Sequence, residues 1–141
     1  MRSLVFGAFA LAMLGACTQQ TAPAPLEGEA LVARGGYLVN GVVLCGDCHT
    51  PRLENMAPDE TRRLQGGELP PSGPPEVFAT IAPPLAGIPA HYTEEQFISF
   101  LQTGVRPDGT HPRPPMPPYR LNEEDARAVA AYIASLPRAA E

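Results

Sequence analysis

The chain has 141 residues, a length typical of one small domain, and a formal net charge of −5. All of its basic residues are arginines, and the acidic balance argues against a nucleic-acid-binding protein. With 18 prolines and no tryptophan, a chain of this size would build only a thin core, so a bound group that completes the core is favoured. Three cysteines do not form the even set that a disulfide framework needs.

The first 17 residues have the pattern of a secretory signal. Arg2 precedes an apolar run over residues 4–14, which is shorter than the ~20 residues of a membrane-spanning helix but suits the hydrophobic region of a signal. The small residues before Cys17 resemble the lipobox of bacterial lipoproteins, where the cysteine is lipidated and becomes the N-terminus. We therefore expect a signal peptide over 1–16, lipidation at Cys17, and anchoring to a membrane on the periplasmic side of a bacterial envelope. The alternative is an ordinary signal cut after an alanine.

A tether and the first helix are predicted next. Residues 17–26 are small, polar and proline-containing, which is typical of a tether, and a single domain is expected over 27–141. Helical spacing across 27–43 predicts a helix with Leu31, Tyr37 and Leu38 on one side. Gly35 and Gly36 interrupt this pattern, and glycine in a helix costs about 1 kcal/mol relative to alanine. The pair therefore indicates that another helix or a flat group comes very close.

Two more helices are predicted towards the C-terminus. Thr93 and Gln96 form a capping-box pattern, and Gly104 is a natural helix stop. Asn122 is the predicted N-cap of the last helix, which Pro137 closes. The apolar positions expected on the buried faces are Phe97, Phe100, Leu101, Ala126, Val129, Ala130, Ile133 and Leu136. Residues 50–92 show little periodicity and no strand pattern, so the expected fold is all-α, with three or more helices and long loops wrapped around a ligand.

Residues 45–49, with the sequence CGDCH, have the spacing of a covalent haem attachment site. Two thiols three positions apart on a helical turn, Cys45 and Cys48, can each add to one vinyl group of haem. His49 then lies under the iron as an axial ligand. A thioredoxin-like redox pair would need a βαβ context, which the sequence does not show. The motif therefore predicts one covalently bound haem c.

The second axial position has several candidates. They are Met116, Met56, His91 and His111, and the two histidines are too isolated to complete a zinc site with the cysteines. Met116 is favoured because prolines on both sides lower the entropy that its loop loses on ordering. Met56 follows His49 too closely to reach the opposite face of the haem easily. An open sixth position remains a further alternative.

Several segments resemble a class I cytochrome c domain. They are residues 34–38 (RGGYL), 45–52 (CGDCHTPR), 107–109 (PDG), 115–117 (PMP) and 131–137 (AYIASLP). The most similar subgroup is the cytochrome subunits of periplasmic alcohol and related dehydrogenases, which usually carry three haem domains where this chain has one. The resemblance implies His–Met ligation of the iron, a contact between the N- and C-terminal helices near Gly36 and Tyr132, and no catalysis by the protein itself.

The expected function is electron transfer between redox proteins, with a dehydrogenase as donor and a cytochrome or oxidase as acceptor. The second ring N–H of His49 should be donated to a backbone carbonyl, for which Pro51, Pro58 and residues 70–71 are candidates.

The arginines near Met116 offer a candidate docking surface. Arg106, Arg113 and Arg120 form a locally basic group around Met116 on an otherwise acidic chain. The alternative is that they are simply a solvated surface.

Two other functions stay open. A five-coordinate haem would be a peroxidase-like enzyme or a gas sensor, and a chain without haem would be a lipoprotein interaction module.

Overall fold

The computed structural model describes residues 24–138. The predicted signal peptide, Cys17 and most of the predicted tether lie outside the described residues. The described helices are α1 (Gly28–Tyr37), a π-helical segment (Leu38–Val42) that continues it, α2 (Gly46–His49), α3 (Glu94–Thr103) and α4 (Glu123–Ser135). None of them has the length and apolar character that a membrane crossing requires. The structure is mostly helical, as the sequence predicts.

Helix α1 packs closely against α4 through its glycine pair. A Cβ atom on Gly35 would overlap the carbonyl oxygen of Ala128 and lie 2.7 Å from the Cβ of Tyr132. A Cβ atom on Gly36 would lie 3.2 Å from the ring of Tyr132. The predicted contact between the first and last helices is therefore confirmed. Helix α1 runs through both glycines, and their contact with α4 compensates for their low helix propensity.

The buried side of α1 differs from the prediction at one position. Leu38 is buried and Leu31 is half-buried, but Tyr37 is 61% exposed. Successive residues of a helix are about 100° apart, so Leu31 and Leu38 share a face that Tyr37 cannot share with Leu38. The prediction for Tyr37 is wrong for this reason.

The caps of α3 and α4 agree with the sequence. The Thr93 and Gln96 side chains form the reciprocal capping box, and Gly104 adopts a left-handed conformation (φ 71°) at the end of α3. The Asn122 side chain accepts a hydrogen bond from the backbone N–H of Asp125. Every predicted apolar position of α3 and α4 is buried except Leu136, which is half-buried just beyond the end of α4.

The segment between α2 and α3 is more ordered than its sequence indicates. It contains a 3₁₀ turn (Glu60–Arg62) and two antiparallel strands, β1 (Gly67–Glu68) and β2 (Ile81–Ala82), so the expectation of no strands is wrong. Strands of two residues are too short to produce a period-2 pattern. Leu64 is fully buried, and its carbonyl accepts hydrogen bonds from the backbone of Leu85 and Ala86. These contacts fold the long segment back onto the helices.

Candidate functional site

A largely apolar cavity of about 260 Å³ lies among α2, α3, α4 and the segment before α4. Its wall includes Cys45, Cys48 and His49 from α2 and its N-terminal boundary, and Met116 from the distant segment. The fold therefore brings the CGDCH motif and the favoured second ligand to one cavity.

His49 is buried in the wall of this cavity, and its ring is held by a backbone carbonyl. Its Nδ1 atom lies 2.7 Å from the carbonyl oxygen of Pro83, which can only accept, so Nδ1 carries the hydrogen. The expected type of contact is present, but Pro51, Pro58 and residues 70–71 are corrected to Pro83, which directly follows β2. Burial lowers the pKa of His49, and the hydrogen bond to Pro83 acts in the opposite direction. Nε2 is therefore the ring nitrogen left free for a metal.

The two motif cysteines differ in exposure. Cys45 is buried and Cys48 is exposed, and both contribute to the cavity wall. The short helix α2 fixes their spacing, and the backbone N–H of His49 donates to the carbonyl of Cys45 at 3.0 Å. Burial raises the pKa of the Cys45 thiol to about 11. One buried and one exposed thiol in the same wall suit attachment of a flat group at two points.

The fold places two of the four candidates for the second axial position in the cavity wall and the other two outside it. Met116 is half-buried, packs against the core and lines the cavity. His91 also reaches the cavity wall, although it is an exposed residue. Met56 is 65% exposed and lies outside the cavity wall. His111 also lies outside the wall, and its Nδ1 is 3.0 Å from the carbonyl oxygen of Gly104.

Tyr119 is a cavity residue that the sequence analysis did not single out. Its hydroxyl donates to the carbonyl of Val43 at 3.1 Å, which links the Met116 segment to the chain just before the cysteine motif. Burial raises the pKa of Tyr119 to about 12, with smaller contributions from the nearby thiols of Cys45 and Cys48. No local sequence pattern indicates this contact, because its partner is a backbone carbonyl far away in the chain.

The three arginines around Met116 occupy different positions. Arg106 is half-buried and Arg113 is exposed, and both contribute to the cavity wall. Arg113 donates to the carbonyl of Pro75 at 3.0 Å. Arg120 is exposed, lies outside the wall and donates to the carbonyl of Thr103 at 2.6 Å.

The side chains at the cavity suit a covalently attached haem. The thiols of Cys45 and Cys48, the imidazole of His49 with its free Nε2 and the thioether of Met116 line a cavity that is largely apolar. Within residues 24–138 there is no cluster of three or more His, Cys, Asp or Glu that could hold a metal ion, so the zinc alternative finds no support there. These features define a small, mostly helical haem protein.

Comparison with known proteins identifies the family. The family model described as cytochrome c matches residues 28–137, and the chain belongs to this family. Members of this family bind haem c covalently and transfer electrons.

Three curated relatives are similar to the chain over about three quarters of its length. A "Diheme cytochrome c-type" protein of Cereibacter sphaeroides is 35% identical over 109 residues, which cover 74% of this chain and 35% of that protein. The fructose dehydrogenase cytochrome subunit of Gluconobacter japonicus is 30% identical over 116 residues, covering 77% and 22%. The cytochrome c subunit of a quinone alcohol dehydrogenase of Gluconobacter oxydans is 33% identical over 121 residues, covering 78% and 25%. The chain thus spans about a quarter to a third of the length of these relatives.

Proposed function

We propose that this chain is a monohaem electron carrier in which Cys45 and Cys48 attach the haem and His49 and Met116 are the axial ligands of its iron. The observation that carries the proposal is the shared cavity, which brings Met116 to the CGDCH motif from a remote part of the chain. The sequence contains this motif once, which supports a single haem.

The side chains have distinct tasks in this proposal. When bound, the haem supplies a one-electron exchange between ferric and ferrous iron. The hydrogen bond from Nδ1 to the carbonyl of Pro83 would orient the imidazole of His49 and leave Nε2 to hold the iron. A methionine ligand favours the ferrous state and raises the potential. If His49 and Met116 both held the iron, no position would remain on it for a substrate, and the chain would act as a carrier rather than an enzyme.

Apolar residues keep water from the site. Phe97, Phe100, Leu101 and Ile133 are all buried and all contribute to the cavity wall. Low local polarity limits the reorganisation of solvent during electron transfer and strengthens the electrostatic effect of nearby charges on the site.

The relatives support a partner class. Two of them are named as cytochrome subunits of a fructose dehydrogenase and an alcohol dehydrogenase. We propose a dehydrogenase as electron donor and a cytochrome or an oxidase as acceptor. Arg113 and Arg120 are exposed near Met116 and, together with Arg106, provide positive charge for docking.

The N-terminal sequence supports a proposal for the location of the protein. We propose a signal peptide over 1–16, a lipid on Cys17, a tether over 17–26 and a cytochrome c domain over 27–141. The domain then stands on the periplasmic side of a bacterial membrane, held by acyl chains that give durable anchoring.

A pyridine haemochrome assay on the purified chain tests the proposed attachment. The parent protein should give one haem per chain, and Cys45→Ser or Cys48→Ser should yield little stable haem-loaded protein, because the haem supplies part of the core. Cys17→Ser is the matched control, since it removes a thiol outside the motif and should retain the haem. Normal yields of folded, haem-loaded protein from both motif variants would contradict the proposal.

A further inference from the structure

A β-hairpin between α2 and α3 contacts both segments that carry the proposed iron ligands. Strands β1 and β2 are joined by the connection 69–80, and residues 66–83 are called the hairpin below. The backbone N–H of Leu69 donates to the carbonyl of Thr80 at 2.9 Å, which extends the pairing beyond the two strands. The hairpin also contributes to the cavity wall, through Leu69, Ala79, Ile81, Ala82 and Pro83. It is therefore part of the site as well as a link between helices.

The base of the hairpin is packed against α2. At its first end, the backbone N–H of Gly66 donates to the carbonyl of His49 at 2.8 Å. A Cβ atom on Gly67 would lie 2.9 Å from the carbonyl oxygen of Thr50, so this approach leaves no room for a larger residue. At its other end, the carbonyl of Pro83 accepts from Nδ1 of His49 at 2.7 Å. Both ends of the hairpin thus hold His49, one through its backbone and one through its ring.

The connection of the hairpin is bonded to the segment that carries Met116. The backbone N–H of Ala79, a half-buried residue of the cavity wall, donates to the carbonyl of Pro114 at 2.7 Å. The N–H of Met116 donates to the carbonyl of Arg113 at 3.3 Å, so residues 113–116 form one turn. Prolines occupy both sides of Met116 and fix the backbone there. A bond at the carbonyl of Pro114 therefore also restrains Met116.

Local contacts order the connection next to Ala79. The backbone N–H groups of Val77 and Phe78 both donate to the carbonyl of Pro74, each at 2.9 Å. The ring of Phe78 packs directly on Gly73, where an added Cβ atom would lie 2.5 Å from the ring. Ala79 therefore follows a folded turn, and its N–H has a defined direction.

We propose that the hairpin positions Met116 relative to His49, and that the backbone N–H of Ala79 is the donor that does so. The proposal rests on the proposed function, in which both residues bind the iron. One hydrogen-bonded element holds α2 at its base and the Met116 segment at its connection, so it sets the separation of the two ligands. The bond from Arg113 to the carbonyl of Pro75 is not assigned this role, because it is exposed and water can replace it.

The bond at Ala79 should affect how well Met116 competes with external ligands for the iron. An external ligand binds only to the fraction of molecules in which the thioether has left, so its apparent affinity follows that fraction. Without the bond, the Met116 segment is less restrained and this fraction rises. Loss of the Ala79 donor should therefore strengthen the binding of imidazole to the ferric protein.

The test is a spectroscopic titration of the ferric, haem-loaded full chain with imidazole. Ala79→Pro removes the N–H and should tighten imidazole binding by about 2- to 13-fold, the net effect of one hydrogen bond. Ala79→Ser is the matched control, because it changes the side chain but keeps the N–H, and it should bind imidazole as the parent does.

A second pair of variants tests the hairpin without removing the donor. Phe78→Ala takes away the ring that packs on Gly73, so it should loosen the connection and tighten imidazole binding by a smaller factor than Ala79→Pro. Val77→Ala is its control, since the neighbouring Val77 is 51% exposed. Gly35→Ala disturbs the contact of α1 with α4 outside the cavity wall and should leave imidazole binding unchanged. It separates positioning of the ligand from a general loss of stability.

The proposal is overturned if Ala79→Pro and Phe78→Ala both keep the parent's imidazole affinity, or if Ala79→Ser or Gly35→Ala tightens it as much. Should Ala79→Pro fail to accumulate with haem, the comparison of Phe78→Ala with Val77→Ala decides in the same way. Failure of the proposed function is distinguishable, because the parent would then carry no covalent haem or would bind imidazole as tightly as Met116→Ala.

Discussion

The hydroxyl of Tyr119 donates a hydrogen bond to the backbone carbonyl of Val43, across a distance of 3.1 Å. The bond joins the segment that carries Met116 to the residues that precede the cysteine motif. Both ends lie close to the cavity, and Tyr119 itself contributes to its wall. We infer that this bond holds the two ligand-bearing segments at a fixed separation.

Tyr119→Phe should therefore weaken the Met116 bond to iron without loss of haem. A hydrogen bond contributes about 0.5–1.5 kcal/mol net, so binding of imidazole to the ferric protein should tighten by about 2- to 13-fold. Spectroscopic titration measures the change. Tyr37→Phe is the control, because Tyr37 is 61% exposed on α1 and outside the cavity wall. Equal imidazole affinities for Tyr119→Phe and the parent would show that this hydrogen bond does not hold Met116 at the iron.

Met116→Ala should leave the haem attached and open the sixth position of the iron. Carbon monoxide should bind the ferrous variant rapidly, whereas the parent should resist it, because the thioether must first leave. Met56→Ala is the matched control, since Met56 is 65% exposed and away from the cavity. If Met56→Ala opens the site and Met116→Ala does not, the ligand assignment is wrong. If the parent binds carbon monoxide as readily as Met116→Ala, the haem is five-coordinate.

Gly35→Ala should destabilise the protein, because the added methyl group would overlap the carbonyl of Ala128 and force α1 away from α4. Overpacking of this kind costs about 1–3 kcal/mol in the free energy of unfolding. Gly41→Ala is the control, since its methyl group would lie 3.6 Å from the ring of Tyr37, an ordinary contact. Denaturant unfolding of both haem-loaded variants gives the comparison. Similar free energies of unfolding would show that the close approach of the helices is not stabilising.

Arg113→Gln combined with Arg120→Gln should slow electron transfer to the partner at low salt and flatten its dependence on ionic strength. Both arginines are exposed near Met116, and attraction between exposed charges is screened over about 8 Å at physiological salt. Neutralising them lowers the association rate more than it changes the bound complex. Stopped-flow kinetics measure the slope, and the optical spectrum should stay the same. A parent rate that rises with salt would exclude a basic docking surface.

Cys17→Ser should move the protein from the membrane to the soluble fraction, because the proposed acyl chains supply the anchoring energy. Thr18→Ser, which changes the neighbouring residue conservatively, should leave the protein on the membrane. Fractionation after a high-salt wash, with haem absorbance as the readout, distinguishes lipid anchoring from electrostatic association. A Cys17→Ser variant that withstands this wash would place the anchor elsewhere.

Local sequence by itself determined the helix ends and the attachment motif. The capping box of Thr93 and Gln96 and the cap at Asn122 need only residues within one helical turn, so the sequence predicts them directly. The same holds for Cys45 and Cys48, whose spacing is a local chemical requirement.

Tertiary structure decided the contacts that join distant segments. Pro83 holds the ring of His49 because the long segment after α2 folds back through two very short strands, and such strands leave no periodic signal. Met116 and Met56 have the same side-chain chemistry, and only the packing places Met116 in the cavity wall and leaves Met56 exposed. Distances between remote residues depend on the sum of many packing contacts, and no spacing in the chain encodes them.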